Sequence, residues 1–336
     1  MRTGRGRYLA GKLAWALVTI VIVVTFNFLL FRVLPGDPAK SGLRDPRLNP
    51  QAQAALQERF GLDKPVFLAL DGGNPFDTQY FAYLGSLARG DLGTSYAFRD
   101  QPVAELLGRG LVNTLWLVLP SQVLSIILGT VLGLVAAWRR RTAIDAAALT
   151  FALVTWSLPT FFLGIILLFF GSAWFDLPTA GRATIGATYA SVWEQLADFG
   201  RHLILPTLTL TLVLLGEYML IMRSSVLEVF SEDYILTARA KGLSTLRIIR
   251  DHALRNAMLP LVTLIALNLG FTVSGAIQVE AVFSWPGLGD LTVDAVGQRD
   301  YPVLQGAFLL LAVSVVVANL AAELVYGWLD PRVAEG

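Results

Sequence analysis

Six stretches of the sequence are long and apolar enough to cross a bilayer, and this restricts the chain to a helical membrane fold. A hydrocarbon core of about 30 Å takes roughly 20 helical residues to cross. The predicted spans are Leu13–Leu34, Leu111–Ala137, Leu149–Ala173, Leu203–Met222, Leu259–Phe283 and Val303–Leu329. Only 15% of the 336 residues are charged, whereas a soluble domain usually contains about 25%. The predicted fold class is therefore an all-α polytopic membrane protein with six transmembrane helices.

The charges between the spans predict the orientation of the chain. The N-terminal segment and the segments after the second and fourth spans are rich in arginine and lysine, as in the run Arg139–Arg141. The alternate segments are acidic or balanced in charge. By the positive-inside rule, the basic segments and both termini are predicted to be cytoplasmic.

The spans divide the chain into three predicted parts. Residues 1–34 are the N-terminus and first span, residues 35–110 an extracytoplasmic domain, and residues 111–336 a core of five further spans. A short helix, Gln51–Phe60, is predicted in the extracytoplasmic domain because Gly61 and Pro65 follow it. Residues 223–258 of the core are too polar for lipid and are predicted to form a helical cytoplasmic loop.

Within this loop, sequence patterns typical of helix starts and ends predict two short helices separated by a glycine. Ser225 and Glu228 have the spacing of a capping box, which marks a helix start. Gly242 can adopt the left-handed conformation that ends a helix, and Ser244 can cap a second helix through Arg255. The residues before the break are small or basic, namely Thr237, Ala238, Arg239, Ala240 and Lys241, and Leu243 follows Gly242. This pattern alone fits two roles equally, docking on a partner protein or binding anionic lipid headgroups.

The run Asp233–Leu243, DYILTARAKGL, followed by HALRNAMLP at His252–Pro260, resembles the EAA loop of ABC importer permeases. It is most similar to the oligopeptide, dipeptide and nickel branch, since Leu236 stands near the usual glutamate position and the spacing to Pro260 is long. Further matches to the B-type permease subunit of that branch run along the chain in the same order, at Leu34–Pro38, Arg89–Tyr96, Glu280–Gly289, Arg299–Pro302 and Leu329–Arg332. The turn-rich insertion at residues 68–78 departs from the family pattern.

The resemblance implies a bacterial inner-membrane protein with the type I ABC importer permease fold. It implies a pore formed with a homologous C-type permease, two cytoplasmic ATPase subunits that bind ATP and magnesium, and an extracytoplasmic substrate-binding protein. Residues 237–243 are then the segment that couples to the ATPase. This chain would be a non-catalytic subunit that contacts membrane lipid and holds no cofactor or metal itself. Peptides are favoured as substrates, with nickel chelates and oligosaccharides as alternatives.

Polar residues within the spans are the candidates for the translocation pathway. An acid at depth in a membrane is costly and points to function, and Glu217 lies roughly 9 Å inside the boundary at Arg223 at 1.5 Å per residue. For Glu217, a pathway role and a packing hydrogen bond are equally favoured; for Gln122 and Asn268, packing is favoured. Close helix packing is predicted at Gly129 and Gly133, and a kink at Pro159. Nearer the span ends, Arg32, Glu280 and Glu323 are predicted to reach the interface.

Several classes of function are disfavoured by what the sequence lacks. It contains no cysteine and only two histidines, so a cysteine or histidine metal cluster is not expected. A net charge of +1 gives no general basis for nucleic-acid binding, and no GxxxxGK[ST] loop is present for ATP hydrolysis. The alternative is a secondary transporter or channel not driven by ATP. Such proteins usually carry ionisable relays within their spans, and here the spans hold few charges.

Overall fold

A computed structural model describes residues 2–33, 64–67, 74–98 and 101–329, and the fold of these residues is built from helices. In chain order they are α1 (Arg2–Val33), α2 (Gln79–Ala88), α3 (Val103–Trp138), α4 (Ala143–Ser157), α5 (Thr160–Phe175), α6 (Val192–Val229), α7 (Asp233–Ala240), α8 (Thr245–Ile248), a π-helical turn (Ile249–Ala253), α9 (Leu254–Gly275), α10 (Ile277–Val282), α11 (Leu288–Gln298) and α12 (Tyr301–Leu329). The predicted helix Gln51–Phe60 lies outside the described residues, as do residues 68–73 of the insertion.

Four of these helices contain segments long and apolar enough to cross a membrane on their own. They are Ala10–Arg32, Val103–Trp138, Val192–Val229 and Tyr301–Ala321. The bent pair α4 and α5 adds a fifth if it is counted as one span. The predicted span Leu259–Phe283 falls on α9 and α10 and is not among these segments of the described chain. The count of six spans therefore stays a prediction.

The predicted kink at Pro159 is confirmed as a sharp break between α4 and α5. The two helices meet at an angle of 108°. Leu158 has extended backbone angles, with φ −73° and ψ 135°, because a proline disfavours the helical conformation of the residue before it. The predicted span Leu149–Ala173 is thus a bent pair of helices.

The described chain divides into two compact units. The first contains Met1–Ala16, Val112–Asp290 and Ser314–Gly336, and the second contains Leu17–Leu111 and Leu291–Val313.

In the first unit, α3 and α6 approach each other closely along a seam of small residues. A Cβ atom added at Gly133 would lie 2.7 Å from the carbonyl oxygen of Met219, and one at Gly129 would lie 2.6 Å from Tyr218 Cβ. Further along the seam, the Ser125 hydroxyl donates to the carbonyl oxygen of Thr211 on α6 at 3.1 Å. The predicted close packing at both glycines is confirmed. Small residues are what allow two membrane helices to pack at this separation.

The second unit packs α2 against α1 through aromatic rings. Phe28 of α1 contacts Phe67 and Tyr80, with ring centroids 5.7 and 5.3 Å apart. Asn27 on the same helix donates to the carbonyl oxygen of Gln305 on α12 at 3.0 Å. A buried carboxylate, Asp300, accepts hydrogen bonds from the Ser95 hydroxyl and the Ala97 backbone N–H. The polar bonds therefore tie residues 95–97 and α1 to the start of α12.

Candidate functional site

The helix start predicted at Ser225 is wrong. Helix α6 runs without interruption to Val229, and Ser225 is buried within it. Continuing the helix buries Met222 and Val226 completely, in one cluster with Ala257 and Leu261 of α9. This apolar burial outweighs the alternative of a capping box, which stabilises a helix start by only about 1 kcal/mol. The new helix, α7, begins at Asp233.

The end of α7 lies where the sequence predicts it. The helix ends at Ala240, and Gly242 has a left-handed φ of +75°. Its N–H donates to the carbonyl oxygen of Arg239 at 2.9 Å. A Cβ atom added at Gly242 would meet no heavy atom within 4 Å. The requirement for glycine here is therefore conformational and not steric.

Helix α7 buries one side and exposes the small and basic residues of the other. Ile235 is fully buried and Ala238 nearly so, in a cluster with Ile248 and Ala253. Of the seven residues predicted to couple, Ala238 is buried and Leu243 packs beside this cluster. The other five are exposed, namely Thr237, Arg239, Ala240, Lys241 and Gly242. The arrangement gives a helix that is fixed to its own chain on one side and exposes small and basic residues near its end, together with Asp233 and Leu236.

The segment after Gly242 joins α7 firmly to α9. The predicted helix start after Ser244 is confirmed, since α8 begins at Thr245 and the Ile248 N–H donates to the Ser244 carbonyl oxygen at 3.0 Å. The helix does not end at Arg255 as predicted, because a π-helical turn leads directly into α9. Asn256 of α9 donates to the Tyr234 hydroxyl of α7 at 2.7 Å.

The exposed face of the π-helical turn holds an ion pair. Arg250 Nε donates to Asp251 Oδ1 at 2.6 Å, and this hydrogen bond lowers the pKa of the Asp251 carboxyl below its ordinary value. Asp251 is therefore ionised at neutral pH and pairs with the charge of Arg250.

A second candidate site forms where the three polar pathway residues meet. Asn268 Nδ2 of α9 donates to Glu217 Oε2 of α6 at 2.9 Å. Gln122 Nε2 of α3 donates to the Tyr218 hydroxyl, which also lies 3.4 Å from Asn268 Nδ2. Gln122 is only 2% exposed and Tyr218 is fully buried, whereas Glu217 is partly exposed. The structure thus brings together all three predicted residues, in what we call the polar cluster.

Tyr218 was missed by the reasoning from sequence. A signal for it exists, because it is polar, adjoins Glu217 and stands in an otherwise apolar run. A buried tyrosine hydroxyl usually has a hydrogen-bond partner, and here the Tyr218 hydroxyl accepts from Gln122 of α3 and lies 3.4 Å from Asn268 Nδ2 of α9.

Glu280 does not reach an interface as predicted but is fully buried. Its carboxylate accepts from the Thr114 hydroxyl at 2.6 Å and from the backbone N–H of Gly289 at 2.6 Å. The neighbouring Trp285 is also fully buried and donates from Nε1 to the Asn113 carbonyl oxygen at 2.9 Å. These bonds attach the segment between α10 and α11 to α3. A buried polar group is stable when its hydrogen bonds are made in this way.

The second unit contains a cavity of about 600 Å³ whose lining is partly polar and partly apolar. Its lining combines charged and hydrogen-bonding side chains, among them Arg32, Gln79, Ser86, Asp91, Thr94 and Gln305. Gln79 is largely buried, and its Oε1 atom accepts no hydrogen bond. Such a concave, partly polar surface is suited to contact with polar groups of another molecule.

Comparisons with known proteins identify relatives over nearly the whole chain. A family model for binding-protein-dependent transport system inner membrane components matches residues 129–335. The di/tripeptide transport system permease protein DppB of Pseudomonas aeruginosa (strain UCBPP-PA14) is 35% identical over 97% of this chain and 98% of its own length. The glutathione transport system permease protein GsiC of Salmonella choleraesuis (strain SC-B67) is 37% identical, with the same coverage of both chains.

Solved structures show the same fold over a smaller part of the chain. A chain of the MetNI methionine ABC transporter, in an inward-facing conformation, superposes with a TM-score of 0.53. The match covers 67% of this chain and 96% of the other, at 19% identity. At that identity the likeness establishes the fold alone.

Proposed function

This chain belongs to the family of binding-protein-dependent transport system inner membrane components, and from that membership we propose that it is a pore-forming permease subunit of an ATP-driven ABC importer. The proposed substrates are dipeptides, oligopeptides or a related small solute, because relatives at 35% and 37% identity are permeases for di/tripeptides and glutathione. The observation that carries the proposal is the shape of α7, a short helix anchored on one side and exposed on the other.

The proposed role of α7 is to dock on the ATPase subunits. The small exposed side chains of Thr237 and Ala240 allow a partner surface to approach the helix closely, and Arg239 and Lys241 can pair with acidic groups at its edge. Because α7 is fixed to α6 through their common turn and to α9 through Asn256, a displacement of α7 displaces both helices. A docking segment can transmit a conformational change only if its contacts differ in energy between the two states.

The proposed importer requires further subunits for the second half of the pore, for ATP hydrolysis and for substrate delivery. We expect a homologous C-type permease as the second half of the pore and two ATPase subunits that bind ATP and magnesium. ATP binding would close the ATPase pair and move α7, and hydrolysis would reset it. The substrate would arrive on an extracytoplasmic binding protein.

In the proposed topology the six predicted spans cross the bacterial inner membrane with both termini in the cytoplasm. Residues 74–98, which lie between the first two predicted spans, would then be extracytoplasmic and would face the binding protein. The loop between α3 and α4 and the whole of α7 would face the ATPases.

The polar cluster is proposed to line part of the pathway. Peptides carry an ammonium group, amide N–H groups and carbonyl oxygens, and the cluster offers one carboxylate and two side-chain amides. Glu217, which is partly exposed and carries the carboxylate, would meet the substrate ammonium group. The buried members Gln122 and Tyr218 would hold the cluster in place.

The test is reconstitution of the complete transporter in liposomes. The chain is co-expressed with a C-type permease, the ATPases and the binding protein of the same genome, and uptake of a radiolabelled dipeptide is followed. We expect uptake that requires ATP inside the liposomes, and ATPase activity that rises with the loaded binding protein. Uptake by this chain alone, driven by an ion gradient and indifferent to ATP, would instead establish a secondary transporter.

A further inference from the structure

An ion pair joins the first turn of α4 to the last part of α6. Arg223 Nε donates to Asp145 Oδ1 at 2.7 Å, and its Nη2 donates to Asp145 Oδ2 at 2.9 Å. The two residues are 78 positions apart in the sequence. A bidentate guanidinium–carboxylate pair fixes orientation as well as distance, because two parallel hydrogen bonds must be satisfied at once.

The Asp145 carboxylate is buried and is hydrogen-bonded to the backbone just before α4. It is 5% exposed and accepts a third hydrogen bond, from the backbone N–H of Arg141, at 2.9 Å. Arg141 has a left-handed φ of +63°, which directs this N–H toward the start of α4. Asp145 also lies in the first turn of α4, where a negative charge is stabilised by the helix dipole. The site therefore specifies an acid, and Arg223 is its charged partner.

Arg223 lies near the end of the helix that leads directly into α7. It lies six residues before the end of α6 at Val229, and α7 starts at Asp233. Further back on α6, a Cβ atom added at Gly216 would lie 2.6 Å from the carbonyl oxygen of Ala152 on α4. Helices α4 and α6 are thus in close contact along their length and joined by the ion pair near the end that leads into α7.

We propose that Asp145 and Arg223 form a positioning pair that makes the turn between α3 and α4 follow α7 during transport. This inference rests on the proposed function. With the pair intact, a displacement of α6 carries α4 and the adjoining end of α3 with it. Without the pair, the close contact at Gly216 still holds the middle of the helices together, but the ends next to α7 can separate. The ATPase would then turn over without moving the whole bundle.

A purely structural role for the pair makes a different prediction. A pair that only stabilises the fold would lower the yield or melting temperature of the complex when removed, and the molecules that did assemble would transport normally. The quantity that separates the two roles is therefore the amount of substrate transported per ATP hydrolysed, measured on assembled complexes.

The first experiment compares Asp145→Asn, Arg223→Gln and the double variant in the full reconstituted transporter. Each single variant should lower substrate transported per ATP by at least about fivefold, the lower end of typical coupling between sites. The double variant should be no worse than the poorer single variant, because the interaction is already absent in each. Arg109→Gln is the matched control, since it breaks an exposed arginine–carboxylate pair with Glu105 near the other end of α3 and should leave the ratio unchanged.

The second experiment measures the movement directly and uses the absence of cysteine from the sequence. Spin labels are placed at Arg140→Cys and Ser224→Cys, both exposed, in a complex whose partner subunits have been freed of cysteine. The distance between the labels should stay constant between the nucleotide-free and vanadate-trapped states. In the Asp145→Asn background it should change between those states.

The results separate this proposal from the proposed function. If the unaltered complex shows no ATP-driven uptake, the proposed function fails. If the unaltered complex transports, two results would overturn the positioning role. The first is that the single variants keep its ratio of transport to hydrolysis, and the second is that the label distance stays constant in Asp145→Asn. Should Asp145→Asn fail to assemble, Arg223→Lys is measured in its place. It keeps the charge but loses the bidentate geometry, so an intermediate ratio is expected, and an unchanged ratio would equally overturn the proposal.

Discussion

Asn268 and Glu217 meet across two helices, with the amide nitrogen of one donating to the carboxylate of the other at 2.9 Å. The bond leaves Glu217 partly exposed and holds its carboxylate in one position. A charged group held in this way can bind a cationic group of a ligand without first reorganising its surroundings.

Glu217→Gln should discriminate between substrates by charge. The substitution keeps an oxygen to accept from Asn268 but removes the negative charge, and a hydrogen bond to a charged group contributes about 1.5–3 kcal/mol. We expect uptake of a dipeptide with a free amino terminus to fall about tenfold more than uptake of its N-acetylated form. The measurement is uptake into liposomes, with Glu228→Gln at an exposed position of the same helix as control. An equal loss of uptake for both peptides would indicate that Glu217 has only a packing role.

Tyr218→Phe should destabilise the first unit. It removes the hydroxyl to which Gln122 donates and leaves a buried donor without that partner, a change that costs about 1–3 kcal/mol. We expect a lower melting temperature of the purified protein in detergent. Tyr234→Phe is the control, because that hydroxyl accepts from Asn256 at an exposed site. A melting temperature that falls no further for Tyr218 than for Tyr234 would contradict the interpretation.

Gly242→Val should abolish coupling and leave the membrane helices folded. A valine at φ +75° is strained by about 1–3 kcal/mol, which the exposed end of α7 can relieve by changing its conformation. We expect ATP-driven uptake to be lost while the yield of folded protein is retained. Gly242→Asn should keep much of the activity, since asparagine tolerates the left-handed region. Loss of activity in both variants would indicate that side-chain size at this position, and not backbone conformation, is what matters.

Gly289→Ala should destabilise the segment between α10 and α11. The added Cβ would lie 2.5 Å from Ile277 Cα and 2.8 Å from Glu280 Oε2, and overpacking of this kind costs about 1–3 kcal/mol. We expect a lower melting temperature, whereas Gly297→Ala in the same helix has open space around it and should be neutral or slightly stabilising. Equal effects at the two glycines would show that the buried carboxylate can move aside.

The sequence predicts best those features that depend on one residue and its immediate neighbours. The break at Pro159 and the helix end at Gly242 follow from the local backbone preferences of proline and glycine. The helix start at Ser225 is predicted wrongly because capping is weak and the decisive contacts, with Ala257 and Leu261, are more than 30 positions away in the chain.

The same limit applies to the candidate sites. Glu217, Gln122 and Asn268 are conspicuous as polar residues in apolar runs, but only the structure shows that they share one cluster with Tyr218. Glu280 has the sequence context of an interfacial acid, and its burial depends on hydrogen bonds from Thr114 on a distant helix. The pairing of Asp145 with Arg223 has no local signal, because each lies in a basic segment that is equally consistent with exposure.

Helix α6 is unbroken from Glu217 to Val229, and this determines how soon a displacement of α7 reaches Glu217. These twelve positions span about 18 Å at 1.5 Å per residue, and the helix contains neither a proline nor a π-helical turn between them. An unbroken helix of this length moves as one body, so a displacement at one end displaces the other end at once. A push on α7 should therefore reach the carboxylate of Glu217 in the same kinetic phase, without a delay for local refolding.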